Sequence, residues 1–214
     1  MRGVIIAGTD TNVGKTVLSA LLMSAMPDAV YWKPVQSGLD EETDSEVIAR
    51  LSESAPGRIL PEAYRLKQPL SPHLSARLDG IQIESIRLAL PETEQFIIVE
   101  TAGGVLVPLR KDLLQIDLMR HWKLPVLLAS RSTLGTINHS LLTLDALRAR
   151  DIPVAGVVMI GPPNVENELA VEQIGNACIL GRIPHLAVIN RLSLLDVYQR
   201  ECESLRDMFI IQHS

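Results

Sequence analysis

A short strand pattern, a glycine-bearing turn and a helical pattern follow one another in the first 25 residues, and this order constrains the fold more than any other feature. Val4–Ala7 is a wholly apolar run, and Thr16–Ala25 carries apolar residues at three- and four-residue spacing. A strand that leads directly into a helix is typical of βαβ units, in which successive strands are parallel. The start of the chain therefore predicts an α/β protein.

The same alternation continues along the chain. Further strands are predicted at 29–32, 96–99, 126–129, 154–159 and 179–183, and further helices at 44–52, 83–90, 116–122, 138–150 and 166–177. Two proline-bearing stretches, 56–61 and 67–73, are interpreted as loops, with His73 as a loop residue that has no catalytic role. The pattern favours one domain over residues 1–214, an α/β fold with a doubly wound, mainly parallel sheet flanked by helices.

The turn after the first strand has the composition of a phosphate-binding loop. It reads GTDTNVGKT from Gly8 to Thr16, with five residues between its two glycines where the usual pattern has four. In such a loop, backbone N–H groups and the helix N-terminus face phosphates, the lysine reaches their oxygens, and the Thr16 hydroxyl can bind Mg²⁺. The alternative is a glycine-rich turn with an incidental lysine. The position of Gly14-Lys15-Thr16 at the strand-to-helix junction favours a P-loop NTPase-like fold.

Composition excludes several classes of partner. A net charge of −5 and a pI near 5.5 argue against general attraction to nucleic acid or anionic lipid, and 3% aromatic residues argue against a base-stacking surface. The apolar runs are too short to span a membrane. Two distant cysteines, Cys178 and Cys202, and the lack of a signal-peptide pattern indicate a reducing, cytoplasmic setting.

Residues that follow the other strands are candidates for a site, because ligands bind at the carboxyl ends of parallel strands. Lys33 precedes Pro34, which favours an extended backbone, but a solvated surface lysine is an equally good interpretation. Asp44 is expected to cap a helix. Glu100 ends an apolar run before a predicted tight turn at 101–104, where a buried carboxylate would need a cation such as Mg²⁺.

The start of the fifth predicted helix leaves two interpretations open. Free N–H groups at 136–138 could hold a carboxylate, or Thr136 or Asn138 could simply cap the helix. The five histidines form no zinc-binding array.

Taken together, these stretches resemble the dethiobiotin synthetase family. The matching segments are GTDTNVGKT at the first loop, KPVQSG at 33–38, SPH at 71–73, VETAGG at 99–104, LGTINHSLLT at 134–143 and LGRIP at 180–184. The five-residue gap in the first loop is a feature of that family.

The resemblance implies an enzyme that carboxylates 7,8-diaminononanoate with CO₂ or bicarbonate, phosphorylates the carbamate with ATP, and closes the ureido ring of dethiobiotin with release of ADP and phosphate. It implies Lys15 and Lys33 as catalytic residues and Mg²⁺ bound by Thr16, Asp44 and Glu100. Nucleotide contacts are implied for Asn12, Val13, Gly14, Lys15, Thr16, Val17, Asp44, Glu100, Thr101, Ala102, Gly103, Pro184, His185 and Leu186. Substrate contacts are implied for Thr11, Ser37, Gly135, Thr136, Ile137 and Asn138, the last four across a homodimer interface.

The chain departs from the family pattern at three places. Thr101 replaces a glycine, Ile160-Gly161 replaces an Asn-Asp pair that recognises adenine in many members, and an aromatic residue near Asn167 is missing. Two rivals follow: a nucleotide-switch ATPase of the partitioning and nitrogenase-iron-protein kind, and a binding protein without catalysis. The switch ATPases have a second lysine at the position of Asp10, which argues against the first rival.

Overall fold

A computed structural model of the protein describes residues 2–211. The strands are β1 Gly3–Gly8, β2 Val30–Trp32, β3 Val35–Ser37, β4 Ile59–Leu60, β5 Tyr64–Leu66, β6 Ile97–Gly104, β7 Pro108–Arg110, β8 Leu113–Leu114, β9 Val126–Arg131, β10 Val154–Ile160 and β11 Ile179–Ile183. The helices are α1 Lys15–Ala25, α2 Asp44–Ser52, α3 Pro72–Leu78, α4 Gln115–Trp122, α5 Thr136–Arg148, α6 Val165–Gln173, α7 Arg191–Glu201 and α8 Glu203–Ile211.

The central sheet has seven strands in the order β11-β10-β9-β1-β6-β2-β4, and all of its neighbouring pairs are parallel. Strand β1 lies in the middle, so the strand order reverses beside it and chain connections leave in both directions. This confirms the predicted doubly wound sheet and places the loop after β1 where such sheets bind ligands. That residues 1–214 form one domain stays a prediction.

Each face of the sheet has its own apolar layer. Along β1, Val4 and Ile6 pack toward α1, while Ile5 and Ala7 pack on the opposite face. Every residue of β1 is buried, as expected for a strand covered by helices on both sides. The two layers fix β1, β2 and β6 rigidly, and the predicted site residues lie on or directly after these strands.

Several local predictions were wrong. The segment 83–90 forms only a 3₁₀ turn at Ser85–Leu88, and Ile86, one helical turn from the buried Ile83, is 79% exposed and does not share its buried face. The predicted loops contain β4 and the start of α3, so His73 lies in a helix that begins at Pro72. Residues 101–104 form no tight turn but continue β6.

The helices α7 and α8 had no sequence prediction, and their junction covers the edge of the sheet. A Cβ atom on Gly181 of β11 would lie 2.7 Å from Cys202 Sγ, so the junction packs against the backbone of this edge strand. Cys202 is buried, and Cys178 is exposed; both are free thiols. Within residues 2–211, none of the helices has the length and apolar character that crossing a membrane requires.

Candidate active site

The loop after β1 has the backbone shape of an anion cradle. Asn12 and Gly14 both adopt left-handed backbone angles, with φ of 56° and 99°. Gly14 is the N-cap of α1 and supplies no side chain, so the first N–H groups of the helix point out of it without a side-chain cap. Val13 is buried, whereas Thr16 and Val17 are half-buried. An anion at this helix start would meet backbone donors and the positive end of the helix dipole.

Lys15 lies inside this cradle. Its side chain is buried, and Nζ donates to the carbonyl oxygen of Asp10, 3.1 Å away. Burial and, to a lesser extent, the nearby ammonium of Lys33 lower the pKa of Lys15 from 10.5 to about 8, and the surrounding carboxylates offset only part of this effect. The loop therefore holds an ammonium group whose charge is poorly compensated, which favours an anionic ligand.

Three oxygen atoms converge beside Lys15. The Thr16 hydroxyl lies 2.7 Å from Asp44 Oδ1 and 3.0 Å from Glu100 Oε1. The prediction that Asp44 caps α2 was wrong. Thr43 caps the helix through a capping box with Glu46, which leaves the Asp44 carboxylate free to face the loop. Two carboxylates and a hydroxyl are the hard donors that Mg²⁺ prefers, and Mg²⁺ commonly takes its remaining ligands from phosphates and water.

Lys33 lies between the same two carboxylates. Its Nζ is 2.5 Å from Asp44 Oδ2 and 3.0 Å from Glu100 Oε1, and the residue is 4% exposed. It is therefore no surface lysine. Burial alone would lower the pKa of Lys33, but Glu100 and Asp44 outweigh that effect and raise it. The same ion pair holds the pKa of Asp44 below its usual range against the opposing effect of burial.

Two residues that the sequence analysis did not single out donate hydrogen bonds to the second carboxylate oxygen of Glu100. Ser19 Oγ donates to Glu100 Oε2 at 2.8 Å, and Tyr31 Oη donates to the same oxygen at 3.1 Å. All three residues are fully buried. Burial raises the pKa of Tyr31 well above its ordinary value, and the Glu100 carboxylate adds to the rise. Ser19 looks like a helix residue and Tyr31 like a core residue, so only the structure reveals their contacts.

The Ser37 side of the site is organised by Gln36. The Gln36 amide nitrogen donates to the carbonyl oxygens of Ser37 and Gly38, and its oxygen accepts from the Asp44 N–H at 3.3 Å. Ser37 Oγ is buried and has no hydrogen-bond partner among the described residues. A buried hydroxyl without a partner is costly, so Ser37 is available to a polar ligand.

The helix α5 starts without a side-chain cap. Its N-cap is Gly135, with φ of 93°, so neither Thr136 nor Asn138 caps it as the alternative interpretation required. The Thr136 hydroxyl instead lies 2.8 Å from the Ser130 hydroxyl, and the Thr136 backbone N–H donates to the Thr133 carbonyl oxygen. Asn138 is exposed, and Ile137 is half-buried. The helix start therefore faces outward, and among the described residues of this chain no hydrogen bond joins it to Lys15 or Glu100.

The remaining predicted contacts lie around the loop. A Cβ atom on Gly103 would lie 3.5 Å from Thr11 Oγ1, which brings the end of β6 next to the loop. The Ala102 N–H donates to Gln115 at 3.4 Å. Thr101 is buried and donates to the Ile6 carbonyl oxygen at 3.2 Å. Its side chain therefore points to β1, away from the carboxylate of Glu100.

The ends of β10 and β11 border the same loop. Ile160 packs directly on Gly14, where an added Cβ atom would lie 2.8 Å from Ile160 Cδ1. Gly161 donates to Ile183, and an added Cβ there would lie 3.8 Å from His185 Nε2. His185 is exposed, between half-buried Pro184 and Leu186. This segment therefore lies beside the loop, and Ile160 gives the neighbouring surface an apolar side chain.

At Asp10, the loop carries an ion pair of its own. Arg131, the last residue of β9, donates to Asp10 Oδ2 at 3.0 Å and to the Thr11 carbonyl oxygen at 3.3 Å. Asp10, the residue that argued against the switch ATPases in the sequence, is thus an acidic residue paired within the chain. This arrangement does not fit the nucleotide-switch alternative.

Comparisons with known proteins give matches over most of the chain. Residues 2–193 match the family model described as an AAA domain. An ATP-dependent dethiobiotin synthetase from Nitrobacter hamburgensis is 50% identical over 195 residues, covering 91% of this chain and 92% of that protein. Another from Brucella melitensis biotype 2 is 54% identical over 182 residues, covering 85% of both.

Among solved structures, a putative plasmid partition protein from Borrelia burgdorferi bound to AMPPNP has a TM-score of 0.58 at 11% identity and covers 99% of both chains. That likeness shows a shared fold and nothing more. The identity to the synthetases, by contrast, extends over most of the chain. The chain belongs to the ATP-dependent dethiobiotin synthetase family.

Proposed function

We propose that the enzyme converts 7,8-diaminononanoate, CO₂ and ATP into dethiobiotin, ADP and phosphate. The observation that carries this proposal is the meeting of two ammonium groups, Lys15 and Lys33, with the oxygens of Thr16, Asp44 and Glu100 at one edge of the sheet. Transfer of a phosphoryl group to a carbamate brings two anions together. Such a reaction depends on cations and positioning more than on acid–base chemistry.

The proposed reaction has three steps. One substrate amine attacks CO₂ and gives a carbamate; a carbamate oxygen then takes the γ-phosphoryl group of ATP, and the second amine attacks the carbonyl carbon and expels phosphate. Lys15 neutralises phosphate charge in the loop, and Lys33 neutralises the carbamate. Ser37 would hold the substrate by its free hydroxyl. Mg²⁺, when bound by Thr16, Asp44 and Glu100, would neutralise the phosphate oxygens.

The protein is further proposed to act as a homodimer, in which residues Gly135–Asn138 of the partner bind the substrate carboxylate. The outward-facing, uncapped start of α5 supports this, as do Leu134, whose side chain is completely exposed, and Leu142, which is 61% exposed. Sedimentation velocity of the purified protein is expected to give a dimer mass. A monomer at the concentrations used for assays would contradict the proposal.

A cytoplasmic location is also part of the proposal. Both cysteines are free thiols, which suits a reducing compartment.

The reaction is tested by mass spectrometry with ¹³C-bicarbonate, 7,8-diaminononanoate and Mg·ATP. We expect a cyclic urea that carries one ¹³C atom and forms in equal amounts with ADP. Omission of the enzyme and replacement of Lys33 by glutamine are the controls. ATP hydrolysis at the same rate without the diamine, and with no labelled ring product, would reject the proposed reaction.

A further inference from the structure

We propose that Tyr31 and Ser19 are positioning residues for the metal-binding carboxylate Glu100. They hold Oε2 of that carboxylate so that Oε1 alone faces Thr16, Lys33 and a divalent ion. The inference rests on the proposed Mg²⁺ site and extends it to two residues behind that site.

The two carboxylate oxygens of Glu100 accept hydrogen bonds from different sets of donors, and this difference supports the inference. Oε2 accepts two hydroxyl hydrogen bonds, 2.8 Å from Ser19 and 3.1 Å from Tyr31, while Oε1 accepts from Thr16 and Lys33, each at 3.0 Å. Both Oε2 donors are neutral: Ser19 belongs to α1, and the Tyr31 side chain lies on the face of the sheet that carries α1. Rotation of the carboxylate would break both of these bonds, so its plane is fixed.

The strand pattern explains why Tyr31 can reach this carboxylate. Tyr31 pairs with Ile98 across β2 and β6, so its side chain shares the α1 face with Ile98 and with Glu100, two residues further along. Tyr31 and Glu100 are both 0% exposed, so water does not replace a lost hydroxyl donor without rearrangement. Residues that orient metal ligands in this way typically change metal affinity 10- to 100-fold when they are removed.

The test measures ADP binding by calorimetry, with MgCl₂ and with EDTA, for the wild type and for Tyr31→Phe. The dissociation constant in EDTA divided by that in MgCl₂ measures how much the metal strengthens ADP binding. We expect Tyr31→Phe to reduce that ratio about tenfold and to leave ADP binding in EDTA unchanged. Tyr64→Phe is the matched control, because the buried Tyr64 hydroxyl accepts from the Glu84 N–H away from the site. The control should lose stability without changing the ratio.

The outcomes separate this inference from the proposed metal site. If Mg²⁺ does not strengthen ADP binding to the wild type, the metal site itself is wrong. If it does, and Tyr31→Phe keeps the wild-type ratio while losing as much stability as Tyr64→Phe, the hydroxyl only fills the core and the inference is overturned. Ser19→Ala removes the other donor to the same oxygen and provides the same measurement if Tyr31→Phe does not fold.

Discussion

Replacement of Lys33 by glutamine is expected to lower turnover on the order of 100-fold or more, with ATP affinity largely unchanged. Lys33 provides a cation at the proposed carbamate position, whereas the phosphates bind mainly through the α1 start and Lys15. The ion pairs with Asp44 and Glu100 add a second expected effect. Loss of the shared ammonium leaves two neighbouring carboxylates without their ion-pair partner, which should cost roughly 3 kcal/mol of folding free energy.

Steady-state kinetics, ATP binding by calorimetry and urea unfolding check these expectations together. Lys111→Gln is the matched control, because this lysine is exposed between β7 and β8. Added Mg²⁺ should restore part of the stability that the Lys33 variant has lost. A fall in ATP affinity as large as the fall in turnover would show that Lys33 binds nucleotide instead of the carbamate.

Replacement of Lys15 by methionine is expected to reduce turnover on the order of 1,000-fold and yet to stabilise the ligand-free protein. The difference between the ordinary pKa of 10.5 and the folded value of about 8 means that the buried, charged lysine lowers the free energy of unfolding by roughly 3 kcal/mol at pH 7. Methionine has a similar length and carries no charge. The gain in the free energy of unfolding should therefore approach that value.

The sign of the pH dependence provides an independent check. Below pH 8 the lysine is protonated in both states, and the folded state bears the full cost. As the pH rises from 8 toward 10.5, the folded lysine releases its proton first, so the cost disappears and the wild type gains stability relative to the variant. Urea unfolding of both proteins between pH 7 and 10 measures this convergence. A Lys15→Met variant less stable than wild type at pH 7 would contradict the argument.

The fold was largely predictable because its evidence is local in the sequence. Short apolar runs such as Val4–Ala7 leave few options other than strands buried on both faces, and the Gly14-Lys15-Thr16 junction places the loop between a strand and a helix. The failed prediction at 83–90 has a physical cause: Ile83 and Leu88 are buried while Ile86 is exposed, and helical spacing cannot show which apolar residues lack a partner.

The site was predictable only where chemistry and position coincide. Lys33 and Glu100 each follow a predicted strand and Asp44 begins a predicted helix, and the structure brings their charged groups together. Tyr31 and Ser19 lie 69 and 81 positions before Glu100 in the sequence, and no local pattern encodes their contacts with it. The role of Gln36 likewise depends on how the chain returns to Asp44.

The alternation along β6 separates two kinds of sequence change. Glu100 points to the α1 face, and Thr101 points the other way to the Ile6 carbonyl oxygen, so an exchange of side chain at position 101 leaves the carboxylate in place. A one-residue insertion or deletion between Ile97 and Glu100 would instead turn the carboxylate into the opposite apolar layer. Divergent versions of this strand can therefore vary in composition at 101, but not in length before 100.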